Sequence, residues 1–204
     1  MKKGFTLIEL VVVMTIIGIL FTVGSFVYIR LLERSRINQA LADIQDITQA
    51  VEQYHADMGY YPPDTDPRFD PGLLTYQQIN CNSPLSVSGP CPFGYDKTIL
   101  ESNPPSSYKG PYLDVPGWPL ETPWGGIYDY DYWPDSATSW RSVVGTCVGM
   151  EGGIYISLRS HDLPWPANGV GAPPAEVEQY FRGEGYDTCT ANNGVIYYRI
   201  KPLN

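Results

Sequence analysis

Few residues in this 204-residue chain have the chemistry to make a site. One carboxylate, Glu9, interrupts the apolar run "FTLIELVVVMTIIGIL" at Phe5–Leu20. An ionised carboxylate in hydrocarbon costs several kcal/mol unless a cation or hydrogen-bond donors neutralise it, so Glu9 asks for a partner. The other reactive side chains are Cys81, Cys91, Cys147 and Cys189. None forms a C-x-x-C pair, and the chain has only two histidines, so a structural zinc site is poorly served. An even cysteine count in a segment outside the cytoplasm favours disulfides. A Cys81–Cys91 bond would close a short Pro/Gly loop. A Cys147–Cys189 bond would clamp the carboxyl-terminal segment. Three pairings are open to four cysteines. Asp64, Asp66 and Asp70 form a loose acidic group, but "DTDPRFD" lacks the glycine and the following glutamate of an EF-hand loop, so solvated loop charges are expected there. His55 and His161 have no Ser or Cys placed beside them by a motif, and no phosphate-binding glycine loop occurs, so the chain is not expected to be an enzyme.

The elements that must position these groups start with the amino terminus. From Phe5 to Leu32 the only formal charges are Glu9 and Arg30. The stretch Leu10–Ile29 is about 20 residues, enough to cross a hydrocarbon layer of about 30 Å. Lys2 and Lys3 precede it and favour a cytoplasmic start, while Arg30, Arg34 and Arg36 oppose that orientation. The far end is bulky and runs on as helix, unlike the small-residue cleavage site of a secretory signal. Beyond Arg36, Ile37, Leu41, Ile44, Ile47, Val51 and Tyr54 recur at three- and four-residue spacings, an amphipathic stripe. One helix over residues 6–57 is predicted, about 80 Å at 1.5 Å per residue. Gly59 ends it, and Pro62-Pro63 prevents continuation.

The remainder is rich in turns, with 20 Gly and 19 Pro in the chain. Three strands are predicted. Tyr128, Tyr130 and Tyr132 alternate with Asp129 and Asp131; "GGIYISLRS" spans Gly152–Ser160; "NNGVIYYRIK" spans Asn192–Lys201 and begins with a tight turn. Such a sheet, covered by the helix, has one buried face. A short helix is expected in "PAEVEQYF". Of the 22 acids only Glu9 and Glu33 precede Ile37, and of the 13 bases Lys2, Lys3, Arg30, Arg34 and Arg36 do, so 20 acids and 8 bases follow, a net −12. That charge repels phosphate backbones, and nucleic-acid binding is not expected.

"KKG" followed by "FTLIELVVVMTIIGIL" resembles the amino-terminal signal of type IV pilins and type II secretion pseudopilins. "NQALADIQDITQAVEQYHADMGYYP" and "LETPWGGIYDYDYW" are similar to the helix end and the turn-to-strand stretch of the major, G-type pseudopilins. The likeness covers residues 1–62 closely and about 118–160 more loosely. It departs at Phe26, where many members have proline, and at Thr122, where aspartate is usual. The resemblance implies an α+β, pilin-like fold: a long amino-terminal helix, its first half transmembrane, packed on a small antiparallel sheet. It divides the chain into a leader at 1–4, a membrane or filament-core helix at 5–32, an amphipathic helix at 33–58 and a globular head at 59–204. It implies that prepilin peptidase cuts between Gly4 and Phe5 and methylates the Phe5 amine, and that Glu9 meets that amine on a neighbouring subunit in a helical filament.

The implied setting is the inner membrane, crossed once, with the head in the periplasm or outside the cell. The implied partners are like subunits, the peptidase, an inner-membrane assembly platform and minor pseudopilins. In major pseudopilins the loop before the last strand holds calcium; here Asp162, Glu184 and Asp187 are the candidate ligands. The implied work is a short pseudopilus that drives protein export. A type IV pilus subunit serving adhesion, motility or DNA uptake is the alternative. A membrane-anchored binding protein that does not polymerise is a third reading, from another class.

Overall fold

The computed structural model describes residues 6–62, 71–75, 78–81, 97–100, 104–133, 147, 152–161, 169–191 and 194–202. The chain divides into two compact units, Met1–Gln39 and Ala40–Asn204. One helix, α1 (Leu7–Met58), supplies the described part of the first unit and opens the second.

In the first unit α1 is apolar all round from Leu10 to Ile29. Leu7 is 81% exposed and Phe21 77%, so no described residue covers them. The polar side chains here turn back onto their own helix. The hydroxyls of Thr15, Thr22 and Ser25 donate to the carbonyls of Val11, Gly18 and Phe21 at 2.8, 2.9 and 2.8 Å. That arrangement suits hydrocarbon, where a polar group without a partner is costly.

In the second unit α1 becomes amphipathic. Ala40, Ile44, Ile47, Ala50, Val51 and Tyr54 are buried, so the stripe holds with two alanines added, while Leu41 is only half-buried. Gly59 ends the helix at φ +77°, its N–H donating to the His55 carbonyl at 2.8 Å. Residues 71–75 and 104–113 close over this end. Tyr54 makes edge-to-face contacts with Tyr60, Tyr108 and Tyr112. Asp57 accepts from Lys109 at 3.0 Å and from the Tyr112 hydroxyl at 3.1 Å.

The main sheet is antiparallel, built from β3 (Ile127–Trp133), β4 (Gly153–Arg159), β5 (Thr188–Thr190) and β6 (Ile196–Pro202), in spatial order β3-β4-β6-β5. A separate ribbon pairs β1 (Gln78–Cys81) with β2 (Lys97–Leu100). The three expected strands are present, but the sheet has a fourth, and the ribbon adds two more in a region read as turns. β5 holds three residues, too few for a period-2 pattern to register. The short helix is α2 (Glu176–Gly183), which buries Val177 and Phe181. Its Phe181 ring meets Tyr198 of β6 edge-on at 5.8 Å.

Register places Tyr130, Ile156, Tyr198 and Thr188 on one face of the sheet and Asp129, Ser157, Tyr197 and Cys189 on the other. The first face looks toward α1, since the Tyr128 hydroxyl reaches Asp43 at 2.9 Å. Burial pushes the Tyr128 phenol well above its usual range, so it remains a donor, and burial also raises the Asp43 carboxyl. The expectation of one buried face needs correction. All seven residues of β4 are buried, so the second face is covered as well.

Candidate assembly site

Glu9 stands in the first turn of α1 and is exposed. Its Oε2 accepts the Thr6 backbone N–H at 2.8 Å and the Thr6 hydroxyl at 2.7 Å. The Glu9 N–H in turn reaches the Thr6 hydroxyl oxygen at 3.4 Å. This reciprocal arrangement is a capping box: Thr6 flanks the helix, Glu9 sits three residues on, and each satisfies an amide left open at the helix start. Its acid also lies at the positive end of the helix dipole. The role of Thr6 was missed from sequence, although the T-x-x-E spacing carries the signal. Thr6 lessens the cost of a carboxylate in an apolar setting without supplying a cation, so the site can still take one.

Gly4 and Phe5 lie outside the described residues. From Leu7 onward the most apolar window of α1 has mean hydropathy 2.6 and is 0% buried. An exposed apolar surface of this length fits burial in lipid or against other chains, and it is long enough to cross a bilayer.

A family model, the prokaryotic N-terminal methylation motif, matches residues 1–25. Fimbrial protein EcpC of Eikenella corrodens is 40% identical over 63 residues, 31% of this chain and 41% of its own length. The type IV major pilin protein PilE of Neisseria gonorrhoeae is 36% identical over 64 residues, 31% of this chain and 38% of its own. The amino terminus of this chain is similar to that of type IV pilins. The chain spans about two fifths of each curated relative it matches, and no solved structure matches.

The second unit holds the other predicted residues. Cys147 and Cys189 are bonded, with Cα atoms 5.3 Å apart. The bond lies among Tyr155, Ala191, Val195 and Tyr197 on the second face of the sheet. That leaves Cys81 and Cys91 as each other's only intramolecular option; Cys91 lies outside the described residues. Of the candidate calcium ligands, Asp162 also lies outside them. Glu184 is an exposed residue that follows α2, and Asp187 pairs with Arg199 at 3.0 Å. Among the described residues no three His, Cys, Asp or Glu side chains converge.

Sequence reasoning also missed a buried ionic cluster on that second face. Arg159 Nη2 meets Asp129 at 2.7 Å and both oxygens of Asp131 at 2.8 and 3.0 Å. Its Nε donates to the Ser157 hydroxyl at 2.8 Å, and that hydroxyl donates to Asp131 at 2.6 Å. The guanidinium lies 5.7 Å from the centre of the Tyr197 ring. Burial would favour a neutral arginine, but the carboxylates of Asp131 and Asp129 outweigh it and keep the charge. The cluster binds two strands together; its place is the head, and its work is structural.

Proposed function

We propose that this chain is the structural subunit of a pilus-like filament. Prepilin peptidase removes residues 1–4, methylates Phe5, and leaves a subunit anchored once in the inner membrane with its head outside the cytoplasm. Subunits then leave the bilayer by associating through α1. The observation that supports this reading is the capped carboxylate at the start of a helix whose apolar surface is left bare among the described residues. In the filament the Phe5 amine of one subunit meets Glu9 of the next. Inside a low-dielectric helix bundle that pair offsets the desolvation of both charges.

The finer reading is a type II secretion pseudopilin, assembled on an inner-membrane platform with minor pseudopilins. It is supported by the turn Thr122–Gly126 leading straight into β3, where the Gly125 N–H meets the Thr122 carbonyl at 2.8 Å and the Gly126 N–H meets the Thr122 hydroxyl at 3.0 Å. The named relatives favour a second reading, a type IV pilus subunit. Mass spectrometry of the membrane form tests the shared step: a chain beginning with N-methylated Phe5 is expected. A chain that keeps Met1–Gly4 in cells with the maturation enzyme refutes it. Deleting the gene separates the finer readings, since loss of secreted proteins points to export and loss of surface fibres to a pilus.

A further inference from the structure

The apolar stretch of α1 ends in a basic band. Leu10–Ile29 rises about 30 Å at 1.5 Å per residue, the thickness of a hydrocarbon core. The next residue is Arg30, and Arg34 follows one helical turn later. The two are about 6 Å apart along the axis and about 40° apart around it, so they share one face. A bilayer with its headgroups measures about 40–45 Å, which leaves about 5–8 Å of headgroup on each side. Both arginines fall within that layer. Both are exposed, and neither makes an ion pair among the described residues. Arg36 stands apart: it lies about 9 Å beyond Arg30, on another face, and is 3.7 Å from Glu33. Tyr28, 62% exposed, stands near the same level on the other side of the helix, where an amphipathic ring suits a membrane surface.

Resting on the membrane-anchored reading above, we infer that Arg30 and Arg34 hold the phosphate of an anionic phospholipid in the leaflet at this end of the span. Basic residues on the side away from the cytoplasm work against the orientation that the charge rule favours, and a local anionic partner offsets that cost. A guanidinium suits the task, since its planar fork takes a phosphate through two parallel hydrogen bonds. Two such forks on one face can flank a single headgroup. An anionic lipid is favoured over a zwitterionic one because its headgroup brings no cation of its own to compete for the phosphate. The contact fixes the depth at which the apolar span lies.

The test uses the full chain in a neutral detergent, mixed with phosphatidylglycerol or phosphatidylcholine of matched acyl chains and read by native mass spectrometry. Each basic residue near an anionic membrane surface strengthens attraction about fivefold, so wild type is expected to retain phosphatidylglycerol about 25-fold over phosphatidylcholine. Arg30→Gln/Arg34→Gln is expected to bring that preference below about threefold, and Arg36→Gln to leave it within about twofold of wild type. Wild type without a preference, or an undiminished preference in the double variant, overturns the lipid site. An Arg36→Gln loss as large as that of the double variant overturns it too, by showing a diffuse effect of charge. Full displacement of the lipid by millimolar inorganic phosphate would assign the pair to free phosphate and sink the proposal. The anchored reading is checked separately: a chain that alkaline carbonate strips from cell membranes refutes that reading and the lipid site together. A chain that resists carbonate but shows no lipid preference refutes the lipid site alone.

Discussion

Replacing Arg159 with methionine isolates the energetic role of the buried cluster. Arg159 is 6% exposed, and its partners Asp129 and Asp131 are 3% and 8% exposed. Methionine keeps much of the side-chain volume but leaves two carboxylates without their shared cation. Each pair is worth about 4 kcal/mol at an effective dielectric near 20 and a charge separation near 4 Å, before desolvation is subtracted. Breaking a buried pair from one side typically costs about 3–5 kcal/mol. Two carboxylates are stranded here, so Arg159→Met is expected to fall at the upper end, about 5 kcal/mol. In a domain of this size that lowers Tm by about 10–20 °C.

The sign of the pH dependence follows. Without the cation, two carboxylates are left buried side by side, and acidification relieves the penalty because protonation removes the stranded charge. Thermal unfolding of the full chain in detergent, followed by circular dichroism from pH 7 to pH 4, measures this. The gap between wild type and Arg159→Met should narrow on acidification. The triple variant Asp129→Asn/Asp131→Asn/Arg159→Met should recover most of the loss at pH 7. A pH-independent loss, or one below about 1 kcal/mol, would refute the account, because a buried unpaired charge cannot be that cheap.

Two further expectations follow from the head. Converting Cys147 and Cys189 to alanine opens a bond that spans 42 residues, which the chain-entropy account values at about 4 kcal/mol. Tm should fall in the double variant, and reductant should produce a comparable fall in wild type; no change in either would show that the bond is energetically idle. Calcium held by Asp162, Glu184 and Asp187 requires Asp187 to give up Arg199. Millimolar calcium is therefore expected to leave Tm unchanged, whereas a rise of several degrees that disappears in Asp187→Asn would place the ion there.

The parts of this molecule that were legible in the sequence are those whose information is local. α1 was readable because its apolar stripe repeats every three or four residues and its end carries Gly59, whose positive φ the cap requires. Glu9 was readable because one acid in an apolar run is conspicuous. Thr6, its capping partner, lies three residues away and was legible too, once the pair is read as a box. The strands at Ile127–Trp133 and Gly153–Arg159 were visible for the same reason, in alternation and β-branched content.

The second face was not legible, and the cause is physical. A tyrosine–aspartate alternation is the pattern of a strand half in water, and nothing local distinguishes an aspartate facing solvent from one facing a cation. Asp131 is buried because Arg159, 28 residues later in the chain, arrives beside it when β3 and β4 pair. Polarity in a sequence reports the cost of burying a group, not whether a partner repays it. The same reasoning bears on Glu9. Among the described residues Glu9 has donors from Thr6 but no cation, whereas Asp131 finds its cation inside the fold. An acid whose counter-charge lies on another molecule reads, in a single sequence, the same as an acid with none. The difference shows only in what surrounds it: Asp131 sits in a closed core, and Glu9 begins a helix whose apolar surface no other described residue covers.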